Sequence, residues 1–472
     1  MSLVRDNMAP LMFGSMILFM LIGYPAAFSL AATGLFFAFI GIEMGLITPD
    51  FLGNLTYQLF GIISNDLLLA IPFFTFMGAI LERCGLAEDL LDSIGQLFGP
   101  VRGGMSYAVI FVGAILGAIT GTVAASVIAM GVISMTPMLK YGYSTRHTMG
   151  VIAASGTITQ LIPPSLVLVV LADVLGRSVG DMYAGAIGPS LIQVGLFCAW
   201  VAIVSLIWPK SVPSLPLEAR TLHGWGLLKK CLRGMIPSLG LIFLVLGTIF
   251  MGLATPSEAG AMGVVGAILL AASYGTLTWN LLYQGMATTM RLTAMVVFIL
   301  IGARVFSLVF QGVGGKEWIE HLLTGLPGGQ IGFLIFVNVF IFIVAFFLDF
   351  FEIAFIIIPL LVPVADKLGI DLIWFGVLIC ANIQTSFMHP PFGFALFYLR
   401  GIAPRSIKTS DIYLGAIPWV VLQVILVIIL IFWPGSVTYW LDKGTGVDPS
   451  TVKIEIPMPQ LPPLLDFSGP KN

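Results

Sequence analysis

Two short stretches place polar side chains and paired prolines inside long apolar runs. The first runs from Gly156 to Ser165 (GTITQLIPPS) and the second from Asn382 to Pro391 (NIQTSFMHPP). Because proline lacks a backbone N–H and disfavours helix for the residue before it, each proline pair must open the helix at membrane depth. Opened backbone is tolerated there only where protein buries it or where it lines a watery site. Two such breaks in matching halves indicate a transporter binding site.

The polar side chains in and near these breaks are neutral oxygen donors. They are Thr120, Thr122, Ser126, Thr157 and Thr159 in the first half, and Asn382, Gln384, Thr385 and Ser386 in the second. Together with freed backbone carbonyls, these oxygens suit a hard monovalent cation such as sodium, and the half-helix N-termini favour an anionic substrate. For any single residue, the alternative is that small and hydroxyl side chains let helices pack closely. The paired arrangement favours the cation site.

A few ionisable residues lie in or beside apolar runs, where an ion costs about 3 kcal/mol or more. Asp349 and Glu352 are one helical turn apart before the second break. They are candidate supporting acids that attract a cation, pair with a partner subunit or lie at the headgroup level. Glu258, a third candidate, follows Pro256-Ser257 and is better explained as an acid at a helix N-terminus. His389 should face the second break, as a proton carrier, an anion ligand or a buried hydrogen-bonded histidine.

Composition places the chain in a lipid bilayer. Of its 472 residues, 58% are hydrophobic and only 9% are charged, against about 25% charged in a soluble domain. The net charge of −2 gives no basic field for nucleic acid, and the four scattered cysteines form no disulfide or metal framework. No HExxH, GxSxG, P-loop or GxGxxG motif predicts an enzyme. The expected fold is an all-α polytopic membrane protein without an organic cofactor.

The second half of the sequence repeats the first. DMYAGAIGP from Asp181 matches DIYLGAIPW from Asp411, and the proline pairs match in the same order. We therefore predict the following organisation: N-terminal scaffold helices 1–65, repeat one 66–208, a linker 209–233, connecting helices 234–290, repeat two 291–434 and a tail 435–472. Within the scaffold, residues 11–47 form one kinked helix or two, and amphipathic helices cover 86–98 and 316–326.

Charge predicts how the two repeats are oriented. The linker 209–233 carries five basic residues against Glu218 alone, and the turn Lys140–His147 is also basic. Basic loops stay in the cytoplasm, so the repeats should be inverted relative to each other. The tail 435–472 should then be periplasmic and extended.

Five ordered motifs resemble the large membrane subunit of tripartite ATP-independent periplasmic (TRAP) transporters. They are GAITGTVAASV (117–127), GTITQLIPPS (156–165), ATPSEAGA (254–261), FLDFFEIAFIIIPLLVPVADKLGID (347–371) and HPPFGFALFYLRGIAP (389–404). The resemblance covers nearly the whole chain except the tail. It implies an elevator-type secondary transporter with inverted repeats, broken helices and re-entrant hairpins in the bacterial inner membrane. The implied partners are a small four-helix membrane subunit and a periplasmic substrate-binding protein, and a sodium gradient drives import of small organic acids.

The resemblance also assigns residues. The sodium segments map onto Gly117, Thr120, Gly121, Thr122, Gly156, Thr157, Asn382 and Thr385. The same segments also carry over Pro163, Pro164, Pro390 and Pro391. From the residues of the two breaks we predict a substrate pathway along Thr159, Gln160, Pro163, Pro164, Gln384, Ser386, His389, Pro390 and Pro391. This chain has Thr120-Gly121-Thr122 where the family often has Ser-Gly-Ser, and His389 where it often has threonine, which puts one sodium ligand in question.

Three functions remain open at the level of sequence. The first is a sodium-coupled, binding-protein-dependent importer of small carboxylates, leaning to 2-oxo, hydroxy or aromatic acids. The second is a stand-alone carboxylate carrier of similar fold, coupled to sodium or, through His389, to protons. The third is a membrane scaffold that transports nothing, which the broken helices argue against because a scaffold gains nothing from them.

Overall fold

The structure is a computed structural model that describes residues 5, 7–221, 224–390 and 393–441. Every regular element in these ranges is helical. The first half contains α1 (Met8–Leu21), α2 (Ala26–Glu43), α3 (Asn54–Ile63), α4 (Asp66–Arg83), α5 (Leu86–Phe98), α6 (Gly104–Thr120), α7 (Val123–Lys140), α8 (Thr145–Thr157), α9 (Leu166–Leu175) and α10 (Val179–Ile207). The second half contains α11 (Gly224–Phe250), α12 (Pro256–Ser273), α13 (Trp279–Gly312), α14 (Gly315–Thr324), α15 (Gly329–Val344), α16 (Phe350–Glu352), α17 (Ile358–Lys367), α18 (Leu372–Ile383), α19 (Phe394–Ile402), α20 (Thr409–Phe432) and α21 (Gly435–Thr438).

Many of these helices are long and apolar enough to cross a bilayer. Among the described helices, seven pass that test alone, and up to nine spans result if each of two bent helix pairs counts as one. Eighteen residues of helix measure about 27 Å, close to the apolar thickness of a membrane. The prediction of an all-α polytopic membrane protein is confirmed.

The N-terminal region contains two helices. Residues 11–47 divide into α1 and α2, with a break of irregular backbone before Pro25. Helix α2 packs closely on α13: a Cβ atom on Gly34 would lie 3.1 Å from the backbone of Phe306, and one on Gly302 would lie 2.3 Å from the carbonyl of Ala27. Glycine at these two positions therefore allows the two helices to touch backbone to backbone.

The two halves contain the same elements in the same order. In the first half a long helix (α4) leads to an amphipathic helix (α5), a hairpin (α6 and α7), a broken pair (α8 and α9) and a long final helix (α10). In the second half the corresponding elements are α13, α14, the hairpin from α15 to α17, the broken pair α18 and α19, and α20. The amphipathic helices predicted at 86–98 and 316–326 are α5 and α14.

Two predicted boundaries fall inside helices. Helix α11 already begins at Gly224, so the basic end of the segment expected to be a linker over 209–233 is helical, and Lys230 pairs with Asp92 of α5. The boundary at 290 lies within α13, which runs from a cap by Thr278 to Gly312. No proline interrupts the sequence of this helix.

The final helix of the second half packs into the first half. A Cβ atom on Gly150 of α8 would lie 2.1 Å from the carbonyl oxygen of Gly415 on α20, and a Cβ on Gly415 would lie 2.2 Å from that of Arg146. At one end of this contact Arg146 and Asp411 form an ion pair of 2.9 Å. The two broken pairs are thereby held in one shared core.

Candidate functional site

The first break follows the end of α8. After Thr157 the chain makes a single 3₁₀ turn, Ile158–Gln160, and stays irregular until Ser165 caps α9. The Ser165 hydroxyl donates to the Gln160 carbonyl at 2.5 Å and accepts from the Val167 amide at 3.2 Å. Pro163 and Pro164 are buried in this irregular segment, which has the open backbone that the sequence predicts.

The hairpin between α6 and α7 places a second opened backbone beside the first break. Gly121 joins the two helices with φ +64°, a left-handed conformation in which glycine is strongly favoured. Thr122 then starts α7 in extended backbone, and its side chain makes no capping hydrogen bond to the described residues. The first-turn amides of α7 and the Thr122 hydroxyl are thus free to meet a ligand. The side chain of Thr120 lies outside the described part of the chain.

Two of the candidate sodium glycines have a packing role. A Cβ atom on Gly117 would lie 2.9 Å from Cα of Thr159, and one on Gly156 would lie 2.2 Å from the side chain of Val127. Both glycines therefore bring the hairpin against the break. For these residues, the alternative of close helix packing is supported by the structure.

The second break follows α18 and is held by amide side chains. Gln384–Phe387 form a 3₁₀ turn, and the Thr385 hydroxyl donates to the Asn382 carbonyl at 2.7 Å. The Asn382 amide donates to the backbone carbonyl and side-chain oxygen of Asn338 at 2.8 and 3.0 Å. Asn382 and Thr385 thus lie at one opened turn, as predicted, while Pro391 lies outside the described residues.

Two glutamines on the final helices of the repeats were missed by sequence reasoning. Gln423 of α20 donates to the Thr157 hydroxyl at 3.0 Å, and Gln193 of α10 donates to the Gln384 side-chain oxygen at 2.8 Å. All four side chains are buried. A signal was present in the sequence, because each glutamine stands twelve positions after the aspartate that opens the repeated motif, at Asp181 or Asp411.

A cavity of about 540 Å³ lies between the opened segments and the helices α4 and α13. The predicted site residues that line it are Gly121, Thr122, Gln160 and Asp349. Thr157, Asn382, Thr385 and Gln384 lie in the buried layer formed by the two breaks and do not line it. Pro390 also lies in the second break, and Ser386 lines a separate cavity of about 290 Å³.

The cavity is lined by charged side chains of both signs and by an aromatic wall. Arg83 of α4 and Arg291 of α13 line it together with the acids Glu82 and Asp349. The aromatic wall consists of the rings of Phe350, Phe351, Phe387, Phe394 and Tyr398. Guanidinium groups and helix N-termini both attract a carboxylate, and aromatic faces accept an apolar body.

The three candidate acids serve as helix caps. Asp349 and Glu352 form a reciprocal capping box at α16: the Phe350 amide donates to Asp349 at 2.6 Å, and the Asp349 amide donates to Glu352 at 3.0 Å. Only Asp349 of the two lines the cavity. Glu258 forms a capping box with Thr255 at the exposed start of α12 and does not line the cavity, so the helix-cap interpretation is correct.

His389 does not face the opened site. Its ring is buried between Phe342, at 4.3 Å between ring centroids, and Phe346, at 4.2 Å. Neither ring nitrogen has a hydrogen-bond partner among the described residues. The sequence prediction that His389 reaches the site is wrong, because the rings that enclose it, Phe342 of α15 and Phe346 in the turn after α15, are remote in sequence.

The chain matches one protein family over most of its length. A family model described as "Tripartite ATP-independent periplasmic transporter, DctM component" matches residues 13–436. The chain is 29% identical to the C4-dicarboxylate TRAP transporter large permease protein DctM of Pseudomonas aeruginosa, covering 85% of this chain and 92% of the relative. It is 27% identical to the ectoine/5-hydroxyectoine TRAP transporter large permease protein UehC of Ruegeria pomeroyi, covering 92% and 99%.

A solved structure shares the fold. The crystal structure of the YdaH transporter of Alcanivorax borkumensis aligns with a TM-score of 0.56 and 17% identity. The alignment covers 81% of this chain and 87% of that one. At this identity the match supports the helical architecture alone.

Proposed function

The chain belongs to the DctM component family of tripartite ATP-independent periplasmic transporters, and from that membership we propose that it carries the substrate of a sodium-coupled importer of small organic acids. It is a multi-pass permease of the inner membrane and not an enzyme. The family implies a substrate-binding protein and a small membrane subunit as partners. That the small subunit has four helices is part of the proposal.

The observation that carries the proposal is where the cavity lies. Thr122 and Asp349 stand at helix starts and Gln160 lies in the first break, whereas Arg83 and Arg291 belong to the long helices α4 and α13. A substrate in the cavity would contact both groups of elements. If the opened segments move as one body against α4 and α13, they carry the substrate across the membrane, which is an elevator mechanism. In this proposal residues 66–208 and 291–434 are the two inverted repeats.

We assign the coupling ion to the buried layer formed by the two breaks, where this layer meets the cavity wall at Thr122. Thr122 and Thr157 offer hydroxyl oxygens, and Asn382 and Thr385 lie at the opened turn of the second break, where helical carbonyls lose their partners. These groups are neutral, which suits a monovalent cation. Sodium binding would order the breaks and complete the floor of the cavity before the substrate is carried.

The substrate class follows from chemistry at the two faces of the cavity. The relatives named above transport C4-dicarboxylates and ectoines, which are small molecules bearing carboxylates. We propose that a carboxylate is held near Thr122 and the two arginines and that its body lies on the aromatic wall. This arrangement favours 2-oxo, hydroxy or aromatic acids with one charged end.

Uptake into proteoliposomes tests the function. Vesicles would contain this chain with its small membrane subunit, a labelled organic acid would be supplied with or without the cognate binding protein, and a sodium gradient would be imposed or omitted. We expect flux only with both sodium and the binding protein. Flux that follows a proton gradient and ignores the binding protein would instead support a self-sufficient carrier, and no flux under any condition would support a scaffold.

A further inference from the structure

The two buried glutamines occupy equivalent positions in the two repeats. Gln193 stands twelve residues after Asp181 and Gln423 twelve after Asp411, each on the final helix of its repeat. Their partners are also equivalent, because Thr157 and Gln384 each stand six residues before the first proline of a proline pair. In both repeats, a glutamine on the final helix is therefore paired with a residue six positions before a proline pair.

Each glutamine reaches into the opposite repeat. Gln423, from repeat two, donates to Thr157 in the first break, and Gln193, from repeat one, donates to Gln384 in the second. The two hydrogen bonds thus cross between repeats. Each fixes a residue at the point where a helix opens, the last residue of α8 or the first residue after α18. Met388 of the second break also lies 3.5 Å from the Thr157 hydroxyl and 3.8 Å from the Gln423 amide.

The glutamines do not form a fully satisfied core network. The side-chain oxygens of Gln193 and Gln423 and the amide nitrogen of Gln384 have no hydrogen-bond partner among the described residues, although all three side chains are buried. An unpaired buried amide oxygen is costly, and such groups in a native protein mark a site that holds an ion or water, stores strain or takes part in function. A purely structural pair would be expected to satisfy both ends of each amide.

We propose that Gln193 and Gln423 are an equivalent pair of positioning residues, each holding the opposite repeat's broken segment in the geometry that the coupling ion requires. This inference rests on the proposed sodium coupling. Gln423 fixes the Thr157 hydroxyl beside the first break. Gln193 fixes the turn Gln384–Phe387, which carries Thr385.

Sodium activation of uptake is the first test. Gln423→Met and Gln193→Met remove the donated hydrogen bond and keep the side-chain length. In proteoliposomes, each should raise the half-activating sodium concentration about fivefold, the equilibrium weight of one buried hydrogen bond, with the rate at saturating sodium near wild type. The control is Gln284→Met, whose glutamine is exposed and bonds to Asn280 on its own helix. Unchanged sodium activation in both variants, or an equal shift in the control, would overturn the proposal.

Equivalence of the two pairs gives a second, stricter test. Gln384→Met, which keeps the side-chain length and removes the accepting oxygen, should shift sodium activation as Gln193→Met does, and Thr157→Val should shift it as Gln423→Met does. If either partner's variant fails to reproduce the shift of its glutamine's variant, the equivalence is wrong.

Hydrogen exchange of the purified complex separates this inference from the proposed function. Gln423→Met should raise exchange in the first break, 157–165, and Gln193→Met in the second, 384–390. If the wild type shows no sodium-dependent uptake, the proposed coupling fails, but this crossed pattern still tests the two contacts. Increased exchange only within the mutated residue's own repeat, or no increase in either break, would overturn the positioning role.

Discussion

Gly121 offers a way to strain the ion site without introducing a steric clash. Its φ of +64° lies in the left-handed region, and a Cβ atom added there would meet nothing within 4 Å. The cost of Gly121→Ala therefore comes from the backbone alone and amounts to about 1 kcal/mol. That cost is paid in the conformation that starts α7 at Thr122. If sodium binds only this conformation, the half-activating sodium concentration should rise about fivefold.

Gly176 supplies a matched control. It ends α9 with φ +62°, and a Cβ atom there would also meet nothing within 4 Å. Gly176→Ala has the same backbone cost, but residue 176 does not line the cavity. The assay is sodium-dependent uptake in proteoliposomes, paired with the thermal unfolding midpoint of each purified variant.

The expected result is a similar loss of thermal stability in both variants and a shift in sodium activation in Gly121→Ala alone. Gly121→Asn should shift it less, because asparagine tolerates left-handed backbone better than alanine does. Wild-type sodium activation in Gly121→Ala, or an equal shift in Gly176→Ala, would show that sodium does not depend on the conformation that starts α7 at Thr122.

Four further predictions concern other parts of the molecule. His389→Phe should keep sodium-driven uptake and its pH dependence, because phenylalanine fits between Phe342 and Phe346 and removes two unpaired ring nitrogens; loss of proton-driven uptake in this variant would contradict it. Gly150→Ala should destabilise the fold by about 1–3 kcal/mol through its contact with Gly415, whereas Gly195→Ala, in open space, should not, as thermal unfolding would show. Asp349→Ala should weaken the capping box of α16 by about 1 kcal/mol and lower the unfolding midpoint; an unchanged midpoint would count against the cap. Burial tends to raise the pKa of Asp92, but hydrogen bonds from Lys230 and Gln96 and the charge of Lys230 lower it below its usual 3.8. The stabilisation of the fold by ionised Asp92 is therefore present above pH 3.8 and is lost as pH falls through the lower pKa of the folded state. Lys230→Met should remove this pH dependence of the unfolding midpoint and cost no more than about 0.5 kcal/mol at pH 7, because both side chains are partly exposed.

The sequence was sufficient for the membrane class and the duplicated order of elements. Apolar runs and proline pairs act locally, so the breaks after Thr157 and Ile383 lie where the sequence predicts them. The end of the predicted linker 209–233 lies on α11, which begins at Gly224, and the contact that holds it there, from Lys230 to Asp92 of α5, joins residues remote in sequence.

The partners across the fold could not be predicted. Gln193 and Gln423 lie in long, largely apolar helices, and only tertiary packing brings them to Gln384 and Thr157. His389 was misplaced for the same reason, because the rings of Phe342 and Phe346, at the end of α15 and just after it, contact it only in the folded protein.

Selective stabilisation of the purified protein by sodium is the measurement that shows whether the opened segments bind the coupling ion. A cation that binds only the folded state raises the unfolding midpoint as its concentration rises. We predict that sodium, but not potassium at equal ionic strength, raises the midpoint of the wild type. Thr122→Ala and Thr157→Ala should remain folded but lose most of this response. Equal stabilisation by potassium, or an unchanged sodium response in both variants, would contradict the assignment of the ion to these breaks.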